Sequence, residues 1–98
     1  MSENKPMNLV IILSDQHSKR MLGCYGNEKV KTPNLDRLGA EGVCFDNAYC
    51  NSPICVPSRA VFATGEYASR NGYWDNAHAY GGEVKSWGGR LHEEGYSV

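Results

Sequence analysis

Hydrophobic residues follow one another without a break in one stretch near the start of the chain, and alternate with polar residues in another. The stretch NLVIILSD, residues 8–15, is continuously apolar and rich in β-branched residues between its polar ends. This pattern is typical of a strand that is buried on both faces of a parallel sheet. The alternation in VCFDNAY, residues 43–49, predicts a second strand, and the final residues YSV, 96–98, predict the beginning of a third.

Three other stretches carry the signals of helix boundaries. TPNLDRLGAEG, residues 32–42, offers Thr32 as a cap, Pro33 at the first helical position and a glycine at the end. PSRAVFAT, residues 57–64, predicts a short helix that stops at the glycine after it. SWGGRLHEEG, residues 86–95, has a capping serine and a final glycine, although its internal glycines each cost about 1 kcal/mol relative to alanine.

The order of these elements, strand–helix–strand–helix–helix–strand, predicts an α/β fold with a mostly parallel sheet flanked by helices. The polar, glycine-punctuated residues 17–31 and 66–85 are predicted to be loops, the first with room for one helical turn. A sheet that stops as a strand begins has an unpaired edge. We therefore expect residues 1–98 to be the N-terminal part of a larger domain, and the free edge could pair copies of the chain into a homo-oligomer.

Composition and charge exclude several classes of partner. The 98 residues carry a formal net charge of -1, which gives no electrostatic reason to bind nucleic acid or an anionic membrane. No apolar stretch approaches the roughly 20 residues of a membrane-spanning helix. The first residues, MSENKPMN, are not followed by the long apolar region of a secretory signal, so we expect a cytoplasmic protein whose four cysteines are free thiols.

The most unusual stretch is CVPSRAVFATG, residues 55–65. Cys55 stands two residues before the proline that opens the predicted helix, so its side chain would lie beside unpaired N–H groups and the positive end of the helix dipole. Arg59 follows four residues later and can reach the same place with a guanidinium that binds oxyanions bidentately. These residues fit a reaction centre. They also fit a small buried thiol at a helix start, with Arg59 in a surface ion pair.

Three blocks, NLVIILSDQ, KTPNLDRLGAEGVCFDNAY and CVPSRAVFATG, occur in an order and at spacings that closely resemble the N-terminal part of formylglycine-dependent sulfatases in the alkaline phosphatase superfamily. The resemblance covers residues 8–98, and the Cys-x-Pro-Ser-Arg core followed by Thr-Gly is its most specific element. It implies that superfamily's mixed, mostly parallel sheet flanked by helices. The dipeptide Asp15-Gln16 resembles the subset that includes choline-sulfatase-like enzymes and phosphonate monoester hydrolases, since the commonest pattern has two acidic residues there.

The resemblance also implies a site. Cys55 matches the cysteine that a separate maturation enzyme oxidises to formylglycine, whose hydrated form attacks the sulfur of a sulfate ester. Asp15, Gln16 and the residue formed from Cys55 match the ligands of a divalent metal, Ca²⁺ or Mn²⁺, though for Gln16 the neutral amide leaves this open. Arg59 matches the arginine that steadies the formylglycine. Asn76 stands where enzymes of that subset have an asparagine that donates a hydrogen bond to the substrate oxyanion. The alternative interpretation is an ordinary polar loop residue.

Three functions remain open on these grounds. The first is hydrolysis of a small-molecule sulfate ester by the whole protein, with the 98-residue chain alone expected to be inactive because further ligands would follow residue 98. The second is hydrolysis of a phosphonate or phosphate ester by the same kind of site. The third is a non-catalytic truncated remnant in which Cys55 is only a thiol.

Overall fold

The computed structural model describes residues 7–98, which fall into two compact units that divide between Cys44 and Phe45. The described residues contain two 3-10 turns, Lys19–Met21 and Gly23–Tyr25, and four α-helices. The helices are α1 (Pro33–Glu41), α2 (Cys55–Thr64), α3 (Ala68–Asn71) and α4 (Trp87–Glu93). None of these described helices is long and apolar enough to cross a membrane.

Helix α1 of the first unit begins where the sequence predicts, but the residue before it does not cap it as expected. Pro33 occupies the first position, and the Thr32 side chain accepts no hydrogen bond from the N–H groups of the first turn. Thr32 Oγ1 instead accepts the N–H of Gly23 at 2.9 Å and donates to Asp36 Oδ1 at 2.9 Å. Thr32 therefore links α1 to the second 3-10 turn and does not act as a simple cap.

The carboxylate of Asp36 completes this junction. Its Oδ1 accepts the N–H of Cys24 at 2.7 Å, a short bond of the charge-assisted kind. Gly23 approaches so closely that a Cβ built there would lie 2.4 and 2.7 Å from the two carboxylate oxygens. A side chain at this position would displace the Asp36 carboxylate, so glycine allows the second 3-10 turn to be held on α1.

The small core of the second unit lies around α2. Its buried residues are Pro57, Ala60, Ala68 and Tyr73. Phe62 of α2 packs edge to face against Trp87 of α4, with the ring centroids 5.9 Å apart. This geometry is favourable for aromatic pairs and fixes α4 against α2.

Both predicted helices of the second unit are formed, and one starts earlier than expected. Helix α2 begins at Cys55 and not at Pro57, so the cysteine is its first residue. Helix α4 has the predicted cap, since Ser86 Oγ accepts the N–H of Gly89 at 3.1 Å. The short helix α3 lies within residues 66–85, where the sequence predicts a loop without regular structure.

The three predicted strands are not formed in the described residues, so the predicted sheet is not confirmed. Neither helix nor strand is present in residues 8–15, 43–49 or 96–98. Val10 and Ile12 are each 82% exposed, although the continuous apolar pattern predicts burial. A strand of a parallel sheet needs hydrogen-bonding neighbours at its edges and helices over its faces. Within the described residues, these segments have neither paired strands at their edges nor helices over their faces.

Candidate active site around Cys55

Cys55 is half-buried at the first position of α2. Ile54 stands at the N-cap position and makes no side-chain cap, because its side chain has no hydrogen-bond acceptor. The N–H groups of the first turn therefore need acceptors from elsewhere in the chain. The Cys55 thiol thus lies where the helix dipole and backbone N–H groups favour negative charge.

Asn76 supplies one of these acceptors. Its Oδ1 accepts the N–H of Val56 at 2.9 Å, from a loop 20 residues further along the chain. A distant amide thus replaces the cap that Ile54 lacks, directly beside Cys55. The Nδ2 group of the same amide is a hydrogen-bond donor at the start of α2. The structure therefore brings together two of the predicted site residues, Cys55 and Asn76.

The turn that carries Asn76 is folded by the side chain before it. Asp75 Oδ1 accepts the N–H groups of Ala77 at 2.8 Å and His78 at 3.2 Å, and lies 3.3 Å from His78 Nδ1. Such bonds are typical of an Asx turn. The bond from Ala77, followed by the contacts with His78, holds the pKa of the Asp75 carboxyl below its ordinary value.

A second contact closes the same loop at its base. Tyr73 is buried, its hydroxyl donates to the carboxylate of Glu83, and its ring packs edge to face on Tyr80 with centroids 5.4 Å apart. The hydrogen bond favours the phenol and the carboxylate, so it raises the pKa of Tyr73 and lowers the pKa of Glu83. Residues 73–83 thus form a closed loop that contains Asn76.

The remaining motif residues lie along the first two turns of α2. Arg59 is exposed and follows Cys55 by four residues, so the two share a face of the helix. Ser58 Oγ lies 3.3 Å from Cys50 Sγ, and the Cys50 thiol also donates to Ser52 O at 3.1 Å. A second thiol therefore contacts the motif helix, which the sequence pattern does not indicate.

Asp15 and Gln16, the predicted metal ligands outside the motif, form a turn in the first unit. Gln16 has a φ of 56° and is the only residue other than glycine with a positive φ in the described part of the chain. The left-handed conformation costs a residue with a Cβ roughly 1–2 kcal/mol. Strained residues of this kind cluster at functional sites, and single left-handed residues also occur in turns such as this one.

Comparison with known proteins decides which family these motifs belong to. The family model described as Sulfatase matches residues 7–98, nearly the whole chain. The chain belongs to the sulfatase family. It is 36% identical over 96 residues to the N-acetylglucosamine-6-O-sulfatase of Bacteroides thetaiotaomicron, covering 98% of this chain and 17% of that protein. It is 46% identical over 76 residues to the N-acetylgalactosamine-6-sulfatase of Homo sapiens, covering 76% of this chain and 15% of that protein.

The similarity extends to other sulfatases. The chain is 38% identical over 91 residues to the ulvan-active sulfatase of Formosa agariphila, covering 93% of this chain and 18% of that protein. This sulfatase chain thus spans less than a fifth of the length of these relatives. No solved structure matches it.

Membership of the sulfatase family carries a fold and a reaction class. Sulfatases hydrolyse sulfate esters, generally with a formylglycine and a divalent metal. The family implies an alkaline-phosphatase-like α/β fold, of which the described residues of this chain show helices and no sheet. The recognition of the family from the three sequence blocks is therefore confirmed, and the sheet is not.

The donor atoms of this sulfatase chain fit part of a metal shell. Asp15 and Gln16 offer a carboxylate and an amide oxygen, the hard ligands that Ca²⁺ and Mn²⁺ prefer. Within residues 7–98, no three His, Cys, Asp or Glu side chains come together so as to hold a metal ion. Ca²⁺ takes about six to eight oxygen ligands. The described residues can therefore supply some of the ligands of such a shell, but not all of them.

Sequence reasoning missed the residues that hold Asn76 in place. The Asx turn of Asp75 has a local signal in DNAH, because an aspartate side chain commonly accepts from the N–H two residues on. The contact between Tyr73 and Glu83 spans ten residues of loop and has no such signal.

Proposed function

We propose that the protein to which this chain belongs hydrolyses the sulfate ester of a small molecule, with Cys55 as the precursor of its nucleophile. The observation that supports this most directly is the bond from the Val56 N–H to Asn76 at the start of α2. It puts a donor amide beside the side chain that would react, at the end of the helix that favours an anion. Family membership gives the reaction class.

Each residue has a distinct role in this proposal. Cys55, once oxidised to formylglycine by a separate maturation enzyme, supplies a hydrated aldehyde as the nucleophile. Asn76 donates through Nδ2 to a sulfate oxygen, and Arg59 balances negative charge from the same face of α2 as Cys55. Asp75 and Tyr73 are positioning residues, since their hydrogen bonds fold the loop that carries Asn76.

In the same proposal, Asp15 and Gln16 hold a divalent cation, Ca²⁺ or Mn²⁺, together with the residue formed from Cys55. Such a cation would supply charge neutralisation and a lowered pKa for a bound hydroxyl. The positive φ of Gln16 supports its assignment, because strained residues persist where the surroundings over-determine them. Further oxygen ligands would come from parts of the protein that this chain does not include, so we expect the 98-residue chain alone to be inactive.

The chemical state of Cys55 tests the proposed nucleophile. Trypsin cleaves after Arg37 and Arg59 and releases residues 38–59 from protein isolated from its native host. Formylglycine replaces the sulfur of Cys55 by oxygen with the loss of two hydrogens, and fragment spectra place the change at residue 55. The matched control is Cys55→Ser from the same host, which should keep serine and lose sulfatase activity. An active enzyme with an unmodified Cys55 would overturn the proposal.

Sulfate and phosphonate esters are separated by kinetics. The full-length protein should show a higher kcat/KM for an aryl sulfate than for an aryl phosphonate with the same leaving group, since the named relatives are sulfatases. The reverse order would favour the phosphonate alternative. The purified 98-residue chain should show no turnover, and detectable turnover would contradict the need for further ligands.

A further inference from the structure

Two thiols of the first unit meet on one face of α1, outside the site around Cys55. Asp36 and Gly39 are three residues apart on this helix, so they share the face that holds the second 3-10 turn. A Cβ built on Gly39 would lie 2.9 Å from Cys44 Sγ, 3.1 Å from Cys24 Cβ and 3.6 Å from Cys24 Sγ. The missing side chain at position 39 leaves the space that the two cysteines fill.

Both cysteines are fixed in this place by neighbouring groups. The N–H of Cys24 is bound to Asp36 Oδ1 at 2.7 Å. Cys44 follows the end of α1, and its thiol reaches back to Gly39 O at 3.8 Å. Partial burial, followed by the proximity of Cys44, raises the pKa of the Cys24 thiol. Both are free thiols, Cys44 exposed and Cys24 half-buried.

We infer that Cys24 and Cys44 form a reversible disulfide across Gly39, with a low-molecular-weight disulfide such as oxidised glutathione as the oxidant. The exposed Cys44 thiolate attacks one sulfur of the oxidant, forms a mixed disulfide and releases the first thiol. Cys24 then loses its proton and attacks the Cys44 sulfur, which releases the second thiol. Two cysteine thiols are oxidised and one disulfide is reduced to two thiols, so atoms and electrons balance.

The order of the two steps follows from exposure and acidity. Thiolates are the attacking species, and access to the oxidant limits the first attack. Cys44 is exposed and meets the oxidant first, whereas Cys24 is half-buried and its pKa is raised, so Cys24 is the weaker attacking thiol. Cys24 is therefore the resolving thiol. The crosslink closes residues 24–44 into a loop that contains all of α1.

The test uses the full-length protein, purified reduced and equilibrated with mixtures of reduced and oxidised glutathione. After alkylation, trypsin releases Cys24 in residues 21–29, and chymotrypsin cleaves after Phe45 and separates Cys44 from Cys50. We expect a crosslinked peptide that joins Cys24 to Cys44 and disappears when reduced glutathione is added. Hydrogen exchange of the α1 amides should slow by on the order of tenfold or more in the oxidised protein.

Variants provide matched controls for the same reaction. Cys24→Ser and Cys44→Ser should each abolish the crosslink, and Cys50→Ser should leave it. Gly39→Ala should shift crosslinking to more oxidising mixtures, because its Cβ would crowd Cys44 Sγ at 2.9 Å. The peptide map of the wild-type protein shows by itself whether Cys24 and Cys44 form the disulfide. A crosslink to Cys50, or glutathione retained on Cys44 without a crosslink, would overturn the inference.

Discussion

Substitution of Asn76 separates the two roles that its amide has in the proposed site. Asn76→Ala removes both the Oδ1 acceptor for the Val56 N–H and the Nδ2 donor. Asn76→Asp keeps an acceptor oxygen, removes the donor, and adds a negative charge at the end of α2 that the helix dipole favours. The two variants should therefore differ in the stability of the helix start and agree in the loss of catalysis.

The free-energy cost of Asn76→Ala at the start of α2 can be judged from the known cost of losing a helix cap. Loss of one cap acceptor costs about 1 kcal/mol, which is about a fivefold change in a local opening equilibrium. The Val56 amide should therefore exchange with solvent about five times faster in Asn76→Ala. In Asn76→Asp it should exchange at the wild-type rate or more slowly. Hydrogen exchange of the Val56 amide measures this directly.

The expected effect on turnover comes from the loss of the Nδ2 donor of Asn76 alone. Removal of one donor to a developing oxyanion lowers kcat by about 10²–10³-fold. We expect this loss in both variants of the full-length protein, and at least as large in Asn76→Asp because its carboxylate repels a sulfate ester. Asn47→Ala, an exposed asparagine of the same unit, is the matched control. Wild-type exchange at Val56 in Asn76→Ala, or wild-type kcat/KM in Asn76→Asp, would refute the assigned roles.

Three further substitutions test the loops and caps. Gly23→Ala should destabilise the protein by about 1–3 kcal/mol in urea unfolding, because the new Cβ would displace the Asp36 carboxylate and break its hydrogen bond; an unchanged midpoint would contradict the close approach. Asp75 has a lowered pKa in the folded chain, so its contribution to stability is present above its ordinary pKa of about 4 and is lost as the pH falls through the lowered value. Asp75→Asn should remove this acid dependence, and identical acid unfolding curves would refute it. Ser86→Ala should destabilise α4 by about 1 kcal/mol, measured by amide exchange at Gly89, with the exposed Ser97→Ala as control; equal exchange in both would show that the cap contributes nothing.

Helices could be predicted from the sequence where their signals are local. Pro33 and Ser86 mark the starts of α1 and α4 as expected, because a fixed φ and a capping hydroxyl act within one turn. Helix α2 starts two residues before the position that the sequence predicts. Pro57 is tolerated inside the first turn, and the acceptor for Val56 comes from Asn76, so the helix can begin at Cys55. No local sequence pattern predicts the hydrogen bond between Val56 and Asn76.

The sheet and the assembly of the site depend on contacts that no short stretch encodes. Residues 8–15 have the composition of a central strand, yet a strand exists only where another pairs with it. The motif resemblance indicates Cys55 and Asn76 separately, and only the folded loop brings Asn76 to the residue next to Cys55. The loop itself depends on Tyr73 and Glu83, whose pairing follows from tertiary packing.

The uncovered apolar residues near the start of the chain also have a colloidal consequence. Leu9, Val10, Ile11, Ile12 and Leu13 are uncharged, suited to extended structure and between 44% and 82% exposed. Five such residues in a row are a template on which identical chains can add as strands, and aggregation by this route rises steeply with concentration. Asp15 stands at the end of the run as the kind of charged gatekeeper that opposes such growth. We therefore expect this exposed run to limit the solubility of the 98-residue chain when it is handled alone.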